Sequence, residues 1–174
     1  VHLPELMSKI VKDFEVLAND KNLTLRTRCA DIYVYSDPTM LERIIRNLLA
    51  NAVRYTQNGG ILLACRTKGD QASIEVWDTG IGIPEDKQES IFGRYTQLNN
   101  PEQESVNGFG LGLSIVSRLT NALGHHLSLF SRPDRGTVFK LSLPLLKEAK
   151  KAKDLMVQLT NSEHILGKYA IIID

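Results

Sequence analysis

The sequence predicts an α+β fold, a two-layer α/β sandwich in which helices cover one face of a mixed sheet. Three features carry that prediction. Apolar residues recur at helical spacing in three segments, alternating strand-like runs come in pairs joined by tight turns, and these hairpins replace a regular strand–helix–strand alternation. A chain of 174 residues has room for one ordinary core with some attached sequence, and a second complete domain is not expected.

The elements follow in order. Leu6, Met7, Ile10, Phe14 and Leu17 sit three or four residues apart, which predicts an amphipathic helix over 3–17 that ends at 19–22. Residues 23–28 and 32–35 have strand character and are expected to pair with each other. Asp37-Pro38 supplies a helix N-cap and a proline at the first helical position, and the stripe Leu41, Ile44, Ile45, Leu48, Ala52, Tyr55 continues it as the central helix as far as Gly59-Gly60. Residues 61–67 and 72–78 form a hairpin around Gly69-Asp70. The stretch 79–112 is loop-rich, with one short helix expected over 84–91, and so long a segment with little periodicity usually carries function. A helix over 113–123 ends at Gly124, and strands 127–131 and 137–143 flank the turn at 133–136. The core ends at Pro144.

Composition narrows the function. With 21 basic and 20 acidic residues the net charge is +1, so no general attraction to nucleic acid or anionic membrane is expected. The longest apolar runs, 61–65 and 170–173, are far short of the roughly 20 residues that cross a bilayer, which fits a cytoplasmic piece whose parent could still be anchored in an inner membrane. Cys29 and Cys65 read as reduced thiols in strands. His2, His125, His126 and His164 have no zinc-ligand spacing.

Chemistry enters through residues in unexpected places. On the central helix Asn47, Asn51 and Arg54 form a stripe at about 280–340° when Ile44 is set to zero, beside the apolar arc rather than opposite it. Amides at the edge of a core need partners. An amide oxygen can complete the shell of a magnesium ion that also binds phosphates, and an arginine one turn later can reach those phosphates. By strand alternation Asp78 shares a face with Ala72, Ile74 and Val76, so a carboxylate is aimed at the core, where it needs a donor such as an adenine amino group. Gly80 and Gly82 follow it and would let backbone approach a flat base closely. Gly108, Gly110 and Gly112 then open a helix, an arrangement that suits phosphate.

The order of these segments resembles the catalytic domains of histidine kinases, within the superfamily that also holds gyrase-type, Hsp90-type and MutL-type ATPases, over about residues 18–145. The N box is matched by 47–56, the first glycine box by 78–82, an F box by 91–97 and the second glycine box by 108–113. Gly136-Thr137, Phe139 and Leu143-Pro144 are similar to the family's closing strand. The resemblance implies a Bergerat-type ATP-binding fold with Asp78 at the floor of an adenine pocket, Mg²⁺ on Asn51, Arg54 on the phosphates and Tyr55 against the base. It also implies nucleotide contacts from Asn47, Gly80, Gly82, Ile83, Tyr95, Gly108, Gly110, Leu111, Gly112, Leu113 and Thr137, with 92–109 as a lid.

Position 47 separates enzyme classes. Related ATPases usually place a glutamate there as general base, whereas an amide cannot take a proton from water and a histidine imidazole needs no base to attack. The expected function is therefore transfer of the ATP γ-phosphate to a histidine, with a non-catalytic nucleotide-binding module and an ATPase as the other readings. Asn47, Asn51 and Arg54 are the expected catalytic residues. His2 is followed by Leu3-Pro4 and is not an acceptor motif, so residues 1–17 are read as the linker and tail of a dimerisation helix, 18–146 as the catalytic domain, and 147–174 as a charged connector with an apolar strand. That strand, 168–174, resembles the start of a response-regulator receiver domain or is an ordinary C-terminal strand, and in either case is expected to pair with a sheet edge. The expected partners are a histidine-bearing dimerisation domain and a receiver.

Overall fold

The structure, a computed structural model, describes residues 1–93 and 112–146. The expected tail strand at 168–174, Tyr95, Gly108, Gly110, Leu111 and most of the expected lid lie outside the described residues.

The elements run α1 (Leu3–Asp20), β1 (Thr24–Arg28), α2 (Pro38–Tyr55), β2 (Gly60–Lys68), β3 (Gln71–Asp78), 3₁₀ turns at Glu85–Lys87 and Ser90–Phe92, α3 (Gly112–Ala122), β4 (His126–Ser131) and β5 (Thr137–Pro144). The five strands form one sheet in the order β1-β2-β3-β5-β4. β1 and β2 are parallel and the other pairs antiparallel, so the sheet is mixed. Ile61, Leu63, Ile74, Val76, Phe139 and Leu141 face the helices and are buried with Leu41, Ile44, Ile45 and Leu48 of α2. On the opposite face Trp77 and Phe130 are 40% and 61% exposed, which shows that helices cover only one side.

α2 forms where its signals place it. The Asp37 side chain accepts from the Met40 amide at 2.7 Å and Pro38 occupies the first turn, a cap worth about 1 kcal/mol. Its stripe of Leu41, Ile44, Ile45, Leu48 and Ala52 is buried, and the helix crosses from β1 to β2 and makes them parallel.

Two expectations need correction. Residues 32–35 do not pair with β1: Tyr33 bridges His2 and Val34 bridges Leu145, because after β1 the chain turns to bury Ile32 and Val34 at the end of the core. Alternation defines a strand-like conformation but not its partner. Residues 84–91 are not one helix but two 3₁₀ turns closed by i→i−3 bonds, Lys87 to Pro84 and Gly93 to Ser90, since each is too short to nucleate an α-helix. α1 inserts Leu3, Met7 and Ile10, all 0% exposed, into the same cluster as α2 and the sheet. Lys9–Glu42 at 3.0 Å and Arg46–Asp13 at 2.7 Å lace α1 to α2 at the surface.

Segment 32–35 serves as a clasp. The Val34 amide donates to Val1 O and the Val1 amino group to Val34 O, while Leu146 N donates to Tyr33 O and Tyr35 N to Pro144 O, so both outer ends of the folded unit hang on it. Among the described residues no helix is long and apolar enough to cross a membrane.

His125, just past Gly124, is joined to Ser36 at 2.9 Å, and burial lowers its pKa from the ordinary value. The unfolded chain therefore takes up a proton near pH 6.5 while the folded chain still resists it, so stability is complete above about pH 6.5 and is lost as pH falls through that range. Melting temperatures between pH 7.5 and 5.5 should fall less in His125→Gln than in the parent chain.

Candidate functional site

β3 ends at Asp78, which pairs with Ile61 on one side and Thr137 on the other, near the middle of the sheet. Its side chain turns to the helix-covered face, as alternation predicts. Oδ1 accepts two backbone bonds, from Gly80 N at 2.8 Å and Thr137 N at 3.2 Å. Burial raises the Asp78 pKa above the ordinary carboxylate value, and the two amide donors oppose that shift. Among the described residues no bond reaches Oδ2, which is left as an acceptor.

After Asp78 the chain folds over the end of α2. Ile81 N donates to Tyr55 O at 3.2 Å, and a β-carbon at Gly80 would lie 2.5 Å from that same carbonyl and 2.9 Å from Asp78 Oδ1. Only a bare backbone fits between the helix end and the carboxylate. Gly82 has φ +68°, and a β-carbon there would overlap the Arg132 carbonyl. Gly82→Ala is thus expected to cost about 1–3 kcal/mol of stability through left-handed strain and collision, read as a lower urea midpoint with an unchanged slope.

The far wall is built by hydroxyls. Ser131 Oγ accepts from Ile83 N at 2.8 Å, contacts Thr137 Oγ1 at 2.9 Å and lies 3.0 Å from Gly136 O. Gln88 Nε2 bridges Ile83 O at 3.0 Å and Ser131 O at 3.1 Å, pinning the loop after Gly82 to β4. Phe92 meets Phe139 edge to face at 6.5 Å between centroids.

These parts enclose one cleft of about 530 Å³, counting space open to solvent, lined by Asn51, Tyr55, Asp78, Ile81, Gly82, Ile83, Ile91, Leu113, Thr137 and Phe139. Seven expected residues converge on it: Asn51, Tyr55, Asp78, Gly82, Ile83, Leu113 and Thr137. Gly80 stands behind the wall. Asn47 and Arg54 do not line it. Asn47 Nδ2 donates to Arg43 O at 2.7 Å, and the Arg54 guanidinium lies 5.6 Å from the Tyr55 ring centroid. Gly112, the first residue of α3, faces both amides, since a β-carbon on it would sit 3.2 Å from Asn47 Oδ1 and 3.8 Å from Asn51 Oδ1. The amide stripe of α2 therefore abuts the start of α3. Ile81, Ser131 and Gln88 were not expected at the site. The hydroxyl pair was readable only from register, where Ser131 and Thr137 stand opposite.

An apolar slot with one carboxylate at its floor and amides beside a helix N-terminus suits a flat heterocycle carrying a donor at one end and anionic groups at the other. A family profile described as histidine kinase-, DNA gyrase B- and HSP90-like ATPase matches residues 36–147. The chain belongs to that family. It is an ATP-binding catalytic domain of the histidine kinase type, and its relatives agree. The sensor protein TorS of Escherichia coli K12 is 44% identical over 109 residues, covering 63% of this chain and 12% of TorS. Sensor histidine kinase RcsC of the same organism is 34% identical over 144 residues, covering 81% and 15%. The chain thus spans less than a sixth of these relatives. Among solved structures, the catalytic domain of histidine kinase ThkA aligns with TM-score 0.72 and 26% identity over 83% of this chain and 93% of that one. Full-length ShkA in complex with AMPPNP aligns with TM-score 0.73 and 28% identity over 83% and 30%. The α+β architecture of this kinase domain is the expected one.

Proposed function

We propose that this domain binds ATP with its adenine amino group on Asp78 and passes the γ-phosphate to a histidine on a separate dimerisation domain of the parent protein. The convergence of Asp78, Thr137, Tyr55 and Asn51 on a single cleft carries this reading. Asp78 Oδ2 accepts the adenine amino proton, Thr137 and its hydroxyl partner Ser131 complete the polar floor, and Ile83, Ile91 and Leu113 exclude water around the base. Tyr55 lies against the base. The triphosphate then extends toward the start of α3, near Gly112, with Arg54 beside it. Tyr95, Gly108, Gly110 and Leu111 belong to the same reading on sequence grounds.

The donor set suits Mg²⁺ rather than a metal caged by protein: no cluster of three acidic, histidine or cysteine ligands occurs among the described residues, and one amide oxygen beside a phosphate site is a normal magnesium environment. Asn51 would hold the ion through Oδ1, and the ion would supply charge neutralisation at the phosphates. Asn47 offers no base, which favours an imidazole nucleophile over water or a serine hydroxyl. Residues 168–174 support a receiver following this domain, with Asp174 the first of its acidic residues.

Mixing the chain with γ-labelled ATP and a separate histidine-bearing dimerisation domain tests the proposal. Acid-labile, base-stable label on that partner is expected. Free phosphate without transfer would make the domain a hydrolase, and neither product would make it a binding module.

A further inference from the structure

Two thiols stand side by side at the end of the sheet away from the nucleotide cleft. β1 runs parallel to β2 with Arg28 opposite Ala64, so one step further the register sets Cys29 against Cys65. Neighbouring strands lie about 4.8 Å apart, within the roughly 4.4–6.8 Å Cα separation that a disulfide needs. Both cysteines are free, and both pack on the core side of the sheet. Their exposure differs: Cys65 is 7% exposed and Cys29 is half-buried, so a small oxidant reaches one and not the other. The single S–H of Cys65 has two sulfur acceptors within reach, Met7 Sδ at 2.9 Å and Cys29 Sγ. The hydrogen bond from Cys65 holds the Cys29 thiol below its ordinary range, and that bond together with burial pushes Cys65 up. The accessible member is thus the better nucleophile and the sheltered one the natural resolving thiol.

We propose that Cys29 and Cys65 are a dithiol modification site that closes reversibly to an intramolecular disulfide when it meets a small-molecule disulfide such as oxidised glutathione. The Cys29 thiolate attacks one sulfur of the oxidant, forming a mixed disulfide and releasing one glutathione thiolate. Cys65 then loses its proton and attacks the Cys29 sulfur, releasing the second glutathione. Two protein thiols are oxidised and one glutathione disulfide is reduced to two thiols, so the exchange balances. Such pairs inside reducing compartments are characteristically transient and sensing rather than structural.

The position gives the bond a consequence. Cys29 leads directly into the clasp at 32–35 that holds both ends of the folded unit. Tying it to β2 fixes the start of that segment. The nucleotide cleft lies further along, since Cys65 pairs with Ile74, four residues or about 13 Å of strand from Asp78.

The test incubates the native chain in graded ratios of reduced to oxidised glutathione, followed by acid quenching, non-reducing peptide mapping and hydrogen exchange. The expected product joins the Cys29 and Cys65 peptides with no glutathione mass, opens with dithiothreitol and slows exchange over 30–35. Cys65→Ala should instead accumulate a stable glutathione adduct on Cys29. Because a buried substitution can unfold the chain, Cys29→Ser provides a second arm in which Cys65 stays unmodified. A glutathione adduct that persists on Cys29 in the parent chain with Cys65 free would overturn the proposal. So would linkage only between two copies, or two thiols that stay free at every ratio.

Discussion

Asp78→Asn should weaken ATP binding by about 1.5–3 kcal/mol, roughly 10- to 150-fold, the usual size of a hydrogen bond to a charged group. The substitution is selective because of how the carboxylate is used. Oδ1 faces the amides of Gly80 and Thr137, and an asparagine oxygen can keep both bonds. Oδ2 would become an NH₂ group, so a donor would face the adenine amino donor. The fold should tolerate the change. Burial raises the Asp78 pKa, so the folded state holds that proton more tightly than the unfolded chain, and stability declines as pH rises from the ordinary carboxylate value through the raised one. Near neutral pH the ionised group is a cost, and its removal should leave the ligand-free melting temperature unchanged or higher. Affinity has the opposite dependence: it should fall as the solution is acidified through the raised pKa, and this fall should vanish in Asp78→Asn. Titration calorimetry from pH 7.5 to 5 checks both, and an unchanged affinity would remove Asp78 from the pocket.

Asn51→Ala should reduce phosphotransfer more than about a hundredfold, because loss of a metal-held phosphate removes several kcal/mol of charge stabilisation. Asn51 lines the cleft, and among the described residues its amide makes no hydrogen bond, so truncation breaks none of the bonds that hold the described fold. Adenine recognition through Asp78 should survive. The expected pattern is retained base binding, a steep loss of transfer at low magnesium and partial recovery at high magnesium. Undiminished transfer at low magnesium would take the metal from Asn51.

Much of this site was readable in the sequence because local patterns encode it. The period of α2 put Asn47, Asn51 and Arg54 beside the apolar arc, and the two-residue alternation of β3 aimed Asp78 inward, both without knowing any partner. The cap at Asp37-Pro38 and the hairpin at Gly69-Asp70 are likewise local. What escaped depends on contacts between distant segments. Residues 32–35 have strand composition but find His2 and Leu145, since the burial of Ile32 and Val34, not strand propensity, places them. The parallel pairing of β1 with β2 follows from the path of α2. Ser131 and Gln88 carry no motif: the Ser131 hydroxyl meets Thr137 Oγ1 and the Gln88 amide meets the Ser131 carbonyl only once β4 and β5 have paired. Asn47 and Arg54, expected at the nucleotide with Arg54 on its phosphates, do not line the cleft: Asn47 lies beside the start of α3 and Arg54 near the Tyr55 ring.

The most direct test of a purine-reading carboxylate compares ATP with inosine triphosphate, whose 6-oxo group accepts where the adenine amino group donates. A site built around a donor discriminates strongly against an analogue lacking it. The parent chain should prefer ATP by more than about tenfold, and Asp78→Asn, presenting an NH₂ group, should lose or invert that preference. An ATP-to-inosine ratio that is the same in both proteins would contradict the placement of adenine on Asp78.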